Sequence, residues 1–355
     1  MNVKIKWLRD KLKLLDLQGM IVSNPVNIYY LTGISQETEG TLLITRKENI
    51  YITDSRYIES VNKTLTIDDN IIVYNVKDIA KDDYEAFFLF CENVGFEEDY
   101  VTYAKYKEYM HIYKINNLVE TENMLKNQRM VKDAQEIEYI KKACEITDDC
   151  FTYLCNFIKK GMTEKEIALE IERFFKLNGA EGVSFNPIVA SGENSSMPHA
   201  VPTDRKIKSG DVITMDFGCK YKGYCSDMTR TIFIDEPLQI VKSVYALVLK
   251  NQEQTLEDIK EGANARILTM MVESDFKVNG FTLVHSLGHG VGLEIHENPI
   301  IGRKDYILRE NMIITDEPGI YIPGKFGIRI EDTVLVTKNG SIKLTNSDKN
   351  YTILR

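Results

Sequence analysis

The chain has little that would take it to a membrane, to nucleic acid or to an oxidising compartment. No run of 18 apolar residues occurs, so no segment is predicted to span a bilayer. The opening Met1-Asn2-Val3-Lys4-Ile5-Lys6-Trp7-Leu8-Arg9-Asp10 is followed by Lys11, Lys13 and Asp16, which leaves no uninterrupted apolar core for a signal peptide. No block of five or six basic residues is present, and 44 Lys+Arg against 53 Asp+Glu give a formal charge of −9. That balance argues against a nucleic-acid partner. The six cysteines (Cys91, Cys144, Cys150, Cys155, Cys219, Cys225) show no C-x-x-C spacing. Free thiols in a reducing cytoplasm are the expectation.

What is present is an ordinary globular composition, 43% apolar and 27% charged over 355 residues, a length that predicts two domains. In the first part, Ile5, Leu8, Leu12 and Leu15 recur at helical spacing up to Gly19, which is expected to close the helix. Met20-Ile21-Val22 reads as a buried strand. Residues 40–45 and 49–53 flank Arg46-Lys47-Glu48 as a hairpin, and Ile71–Tyr74 and 94–96 as further strands. This predicts a small α/β domain over 1–126 with a mixed sheet. The second domain, 127–355, opens with Asp133 and Glu136 at capping-box spacing before a helix of about seven turns that Gly161 ends. Thr163-x-x-Glu166 caps the next helix. Helices near 237–260 and 264–278 and strands to the end complete it.

Chemistry concentrates in this second domain. Four of the five histidines (His199, His285, His289, His296) lie there, whereas His111 reads as a solvated helix residue. Histidine is a common metal ligand and general acid/base. Two strand-like runs, 212–219 and 224–232, flank a tight turn at Tyr221-Lys222-Gly223. A loop centred on Tyr221-Lys222 sets Asp216 directly opposite Asp227, where two carboxylates on one face repel unless a cation lies between them. A register slipped by one residue would separate them. A second hairpin around Gly324 sets Glu317 opposite Glu331. Two acidic hairpins predict an internally duplicated domain with the four carboxylates at its centre.

Four carboxylates cannot all ionise in a partly buried site without cations. With one imidazole added, the set suits two divalent ions, and oxygen-rich ligation favours Mn²⁺, Co²⁺ or Mg²⁺ over a thiolate site. Cys219 points to the opposite strand face from Asp216, while Cys225 is in phase with Asp227 and could line the site without ligating. The glycines of His285-Ser286-Leu287-Gly288-His289-Gly290-Val291-Gly292 fail the nucleotide-loop register. They are expected to let the backbone bring His289 to the metals.

The stretches MDFGCKYKGYCSDMTRT (215–231), HSLGHGVGLEIHE (285–297), EPGIYIPG (317–324) and GIRIED (327–332) resemble the pita-bread metallopeptidases of family M24. These include methionine aminopeptidase, aminopeptidase P and prolidase, with creatinase as a metal-free relative. FNPIVASGENSSMPHA (185–200) ends in the Pro-His-Ala of the Xaa-Pro-cleaving branch, and GMIVSNPVNIYYLTG (19–33) with ITDSRYIES (52–60) is similar to the creatinase-type N-terminal domain. One departure is Asp316, where the family usually carries an apolar residue; it adds negative field beside the metals or faces away.

The resemblance implies an α+β chain, a creatinase-like domain followed by a pita-bread domain. It implies a dinuclear Xaa-Pro aminopeptidase acting on short peptides with proline second, most readily with Mn²⁺, with Co²⁺ or Zn²⁺ as substitutes. An Xaa-Pro dipeptidase would use the same site. A metal-free creatinase-like hydrolase and a non-catalytic binding protein on the same fold are the readings that a broken ligand set would favour, and this set is whole. Carried over by position, Asp216 binds one metal, Asp227 and Glu331 bridge, and His289 and Glu317 hold the other. Two such ions acidify a shared water toward neutral pKa. Glu317 would also move the proton, His285 and His296 would stabilise the oxyanion, and His199 would serve the proline side. Arg329 would steady Glu331 or the substrate, and Tyr321 stands between site and core. A homodimer is implied, with the N-terminal domain over the cleft of its own or a neighbouring subunit limiting substrate length.

Overall fold

Local capping and strand signals build two separate units, 1–129 and 130–355, in a computed structural model that describes residues 2–66, 70–80, 84–88 and 91–355. In the first, α1 (Val3–Leu14) starts where the Asn2 side chain accepts from the amides of Lys4 and Ile5, and it buries Ile5, Leu8 and Leu12. Gly19 does not close this helix. Asp16, at φ 54°, makes the left-handed turn, and Gly19 opens β1 (Gly19–Val22), where a Cβ would sit 2.8 Å from the Ile44 carbonyl oxygen. There follow α2 (Pro25–Thr32), β2 (Gly40–Thr45), β3 (Asn49–Thr53), α3 (Ile58–Thr64), β4 (Ile71–Asn75), β5 (Asn93–Phe96), α4 (Tyr103–Ile112), β6 (Asn117–Glu120) and α5 (Met124–Arg129). The sheet order is β4-β3-β2-β1-β5-β6, antiparallel across β1–β2 and β2–β3 and parallel elsewhere. His111 is exposed near the end of α4. α5 goes with this unit, and the chain divides between Arg129 and Met130.

The second unit repeats one plan twice. First come α6 (Ala134–Phe157) and α7 (Glu164–Leu177), each opened by a capping box, Asp133/Glu136 and Thr163/Glu166. α6 stops at Phe157, short of Gly161, which takes φ 91° in the turn that follows. Strands β7 (Gly182–Val183), β8 (Ile188–Ser191), β9 (Val212–Phe217), β10 (Cys219–Tyr221), β11 (Tyr224–Cys225) and β12 (Met228–Ile234) complete this half. The second half has α8 (Gln239–Asp258), α9 (Ala265–Val278), β13 (Gly288–Gly290), β14 (Glu297–Ile301), β15 (Ile313–Asp316), β16 (Gly319–Ile322), β17 (Phe326–Arg329), β18 (Asp332–Val336), β19 (Ser341–Lys343) and β20 (Ile353–Leu354). Ile140 aside, the apolar stripes of α6 and α7 pack on Met215, Phe217 and Ile232, while those of α8 and α9 pack on Ile314, Ile328 and Val334. Each half therefore has its own core behind its own sheet, antiparallel except where β20 joins β12 in parallel, and the arrangement is α+β. No helix among the described residues is long and apolar enough to cross a membrane.

The first acidic hairpin is built differently from its sequence reading. Lys222 and Gly223 take φ 49° and 74°, the positive values a type I′ turn needs, so Tyr221 pairs with Tyr224. The turn centre lies one residue later than expected, which moves the register by two. Asp216 accordingly faces Thr229, not Asp227. A shift of two preserves the face, so Asp227 still projects on the side of Asp216, diagonally. The second hairpin keeps its expected register: Gly319 pairs with Arg329 in β16–β17 and Asp316 with Asp332 in β15–β18, which leaves Glu317 and Glu331 level between them.

Candidate active site

The central residues of both halves line one cavity of about 280 Å³, into which Asp216, Asp227, His289, Glu317 and Glu331 all face. Asp216 comes from β9, Asp227 from the break just before β12, Glu317 and Glu331 from the links flanking β16–β17, and His289 from β13. Gly288 and Gly290 flank that histidine because its strand is sandwiched closely: a Cβ on Gly288 would lie 2.1 Å from the Thr315 carbonyl oxygen, and one on Gly290 2.3 Å from that of Asn298. The Thr315 hydroxyl accepts the His289 amide.

His289 Nδ1 lies 3.1 Å from the Gly290 carbonyl oxygen, which can only accept. In the form that can bind a metal, the ring therefore carries its proton on Nδ1 and turns Nε2 toward Asp227, 3.5 Å away, and Glu317, 3.6 Å away. One ligand atom each from Asp227, His289 and Glu331 falls within 4.8 Å of the others. Burial, compounded by Asp216 and Glu317, pushes Asp227 well above the carboxylate range; burial, then Asp227 and Glu317, does the same to Glu331. Burial also raises Asp216, against the pull of Arg329. One oxygen of Asp216 and one of Asp227 are buried without a hydrogen-bond partner. Orphaned acceptors in a cluster of mutually repelling carboxylates and one imidazole are the donor set that divalent cations satisfy.

Arg329 does not reach Glu331 directly. It donates to Asp216 (2.6 Å), the Thr229 hydroxyl (3.0 Å), the Tyr321 hydroxyl (2.7 Å) and the Pro198 carbonyl (3.2 Å). Thr229 in turn donates to Glu331 at 2.7 Å and so links the guanidinium to that carboxylate. Thr229 carried no signal beyond its phase, two residues after Asp227 on the same face. Tyr321 belongs to the site network: its hydroxyl accepts from Arg329 and lies 3.0 Å from His285 Nε2. His285 Nδ1 sits 2.8 Å from the Ser286 carbonyl. Both ring nitrogens are thus engaged, and His285 holds Tyr321 instead of offering a free N–H. Burial lowers its pKa.

His199 and His296 are exposed residues on the cavity wall, and the His296 ring stands edge-on to His289 with centroids 4.4 Å apart. Burial, then His289, lowers the His296 pKa. Cys219 and Cys225 are both away from the cavity. Cys219 Sγ points to the Ala143 carbonyl, and Cys225, in phase with Asp227, points to the Leu293 carbonyl at 3.8 Å. All six cysteines are free thiols. Asp316 faces away from the cavity, fully buried, with neither carboxylate oxygen hydrogen-bonded. Burial, then Asp332, pushes it well above the carboxylate range.

Comparison with known proteins adds the family. The profile of metallopeptidase family M24 matches residues 138–338, and that of the Creatinase/Prolidase N-terminal domain matches residues 4–131. A relative from Pyrococcus horikoshii named Xaa-Pro dipeptidase is 35% identical over 353 residues, covering 98% of each chain. The solved structure of Xaa-Pro dipeptidase from Bacillus anthracis superposes with a TM-score of 0.92 at 36% identity over 99% of each chain. That of X-Pro aminopeptidase from Thermotoga maritima gives 0.88 at 34% identity over 97% of this chain and 100% of that one. The chain belongs to metallopeptidase family M24 and carries that family's creatinase/prolidase type of N-terminal domain.

Proposed function

We propose that this chain hydrolyses the Xaa-Pro bond at the amino terminus of short peptides, using two divalent ions held by Asp216, Asp227, His289, Glu317 and Glu331. Mn²⁺ is the first choice, with Co²⁺ or Zn²⁺ as substitutes. The observation that carries this reading is the convergence of four carboxylates, one imidazole and three further histidines on a single cavity. When bound, such ions acidify water to near-neutral pKa and polarise a carbonyl. The chain's own residues do the rest. Glu317, half-buried at the cavity edge, takes the proton of the attacking water and returns it to the departing proline nitrogen. His296 donates to the developing oxyanion. His285 orients Tyr321, which with Thr229 keeps Arg329 on Asp216. His199 contacts the prolyl side of the substrate. An Xaa-Pro amide offers no N–H, and nothing in this arrangement asks for one.

Aminopeptidase is the favoured reading. Dipeptidase is the second, because the Bacillus anthracis and Pyrococcus horikoshii relatives carry that name. A cytoplasmic homodimer goes with either; the free thiols support a reducing compartment. The experiment is a mass-spectrometric digest of an Xaa-Pro dipeptide and an Xaa-Pro-Yaa-Zaa tetrapeptide, each with Mn²⁺ and with EDTA. Mn²⁺-dependent release of Xaa from the tetrapeptide supports the aminopeptidase, cleavage of the dipeptide alone the dipeptidase, and cleavage of neither overturns both.

A further inference from the structure

Outside the cavity, the most heavily hydrogen-bonded carboxylate of the second unit is Glu164, the first residue of α7, whose side chain is fully buried. One oxygen accepts from the Ser191 amide and the Ser191 hydroxyl, both at 2.7 Å. The other accepts from the Thr203 amide at 2.9 Å and the Thr203 hydroxyl at 2.7 Å. The Asn194 side-chain amide reaches both oxygens, at 3.2 and 3.1 Å. Every donor is neutral, and no ion pair to Glu164 occurs among the described residues. Arg205 lies one hydroxyl away, donating to Ser191 Oγ at 2.8 Å.

The donors belong to one loop. Ser191 ends β8, Asn194 lies in the short 3-10 turn Gly192–Ser196, and Thr203 closes the excursion; His199 stands between them. The inner side of the same loop is tied to the site, where the Gly327 amide donates to Ser195 Oγ at 2.9 Å and Arg329 donates to the Pro198 carbonyl. Glu164 thus ties both ends of a loop whose middle lines the cavity, and the bland alternative is that it does no more than stabilise the fold.

We propose that Glu164 is a positioning residue for substrate binding: by tying Ser191, Asn194 and Thr203 together it holds His199 at the cavity wall. This rests on the reading of His199 as a substrate contact. Isosteric Glu164→Gln tests it, because the amide must turn an NH₂ toward donors whichever way it flips. The expected result, on an Xaa-Pro-Yaa-Zaa tetrapeptide with Mn²⁺, is a fall in kcat/KM of up to about 100-fold carried by KM, as misplacement of a contact group produces. Bound Mn²⁺ should be unchanged. A purely structural role gives the opposite split, since a smaller folded fraction lowers apparent kcat and leaves KM alone. In a His199→Ala background, Glu164→Gln should add less than about twofold, as residues acting through one another are non-additive.

Equal losses in both backgrounds, or a loss in kcat alone, overturn the proposal. A His199→Ala enzyme with wild-type kinetics removes the His199 assignment beneath it, and that failure is recognisable because the double mutant is not needed to see it. If Glu164→Gln does not fold, Thr203→Val removes one hydroxyl donor and keeps the carboxylate. It should show a smaller rise in KM, again erased by His199→Ala; unchanged KM there overturns the proposal equally.

Discussion

Glu331 and Asp332 are consecutive, both buried, and opposite in fate. Asp332 accepts from Arg230 at 2.6 Å, Lys349 at 2.9 Å, Gln252 at 3.1 Å and Thr345 at 3.0 Å. Burial alone would raise it, but Arg230 and Lys349 outweigh burial and hold it at about 2. Glu331 faces Asp227 and Glu317 with the Thr229 hydroxyl as its donor, and it is pushed the other way. Successive residues face opposite ways, so one step along the chain moves a carboxylate from a network with two cations of its own to a cluster of four acids whose guanidinium, Arg329, is bonded to Asp216. Asp332 is balanced by cations of the fold, whereas four acids sharing one guanidinium are short of positive charge and favour cations from outside.

That contrast can be broken from either side. The largest effect should come from Asp227→Ala, which removes a carboxylate of the proposed metal set: bound metal, measured by mass spectrometry, and activity should vanish together. Loss of activity with full metal content would detach Asp227 from the metal reading. On the other face, Arg230→Met leaves Asp332 short of a buried cation and should cost about 3–5 kcal/mol of stability in denaturant titration. A cost under about 1 kcal/mol would mean that Lys349 suffices. His296→Ala leaves all five proposed ligands in place and removes only a ring that packs edge-on to His289. It should keep the metals and lower kcat by about 10²–10³, the usual loss for one oxyanion donor; unchanged kinetics would remove His296 from the mechanism.

Much of this contrast was legible before any coordinates. Asp216, Asp227, Glu317 and Glu331 were visible as two acidic hairpins because strand periodicity survives an error of two in register. The turn itself was misplaced, since Lys222 at positive φ is a position where glycine or asparagine would have announced the type I′ geometry. Arg329 was found, but its partner was not: which carboxylate a guanidinium meets is decided by packing between β9 and β17, distant in sequence. The Glu164 hub carries no signal in the sequence for the same reason, since its donors Ser191, Asn194 and Thr203 lie 27 to 39 residues away. Asp316 stands out in the sequence as a departure with two readings, field beside the metals or facing away, and the structure shows the second.

Asp316 supplies a smaller test of the same comparison. It lies across from Asp332 yet takes no hydrogen bond from Arg230, Lys349 or any other donor among the described residues. An unpaired polar group in such surroundings costs about 1–3 kcal/mol. Asp316→Leu, on the core face of α8 and β18, should therefore raise stability by roughly that amount, with the cavity's metal content unchanged. Destabilisation would show that Asp316 has a partner that matters.

The last test concerns a third kind of buried acid, Glu97 in the N-terminal unit. Its oxygens accept from the amides of Ser23 and Asn24, at 2.6 and 2.8 Å, and from the Asn27 side chain at 2.7 Å, all neutral donors. Burial outweighs these bonds and raises its pKa to about 7. Since the folded value exceeds the ordinary 4.5, the fold favours the protonated form. The stabilisation is complete below about pH 4.5 and is lost as pH rises through about 7, at up to about 1.4 kcal/mol per unit. Wild type should thus lose stability between pH 5 and 7.5 more steeply than Glu97→Gln, which cannot titrate there. Parallel slopes in denaturant titrations across that range would mean that the three N–H donors keep Glu97 ionised after all, and that neutral donors can stand in for the cations that Asp332 enlists.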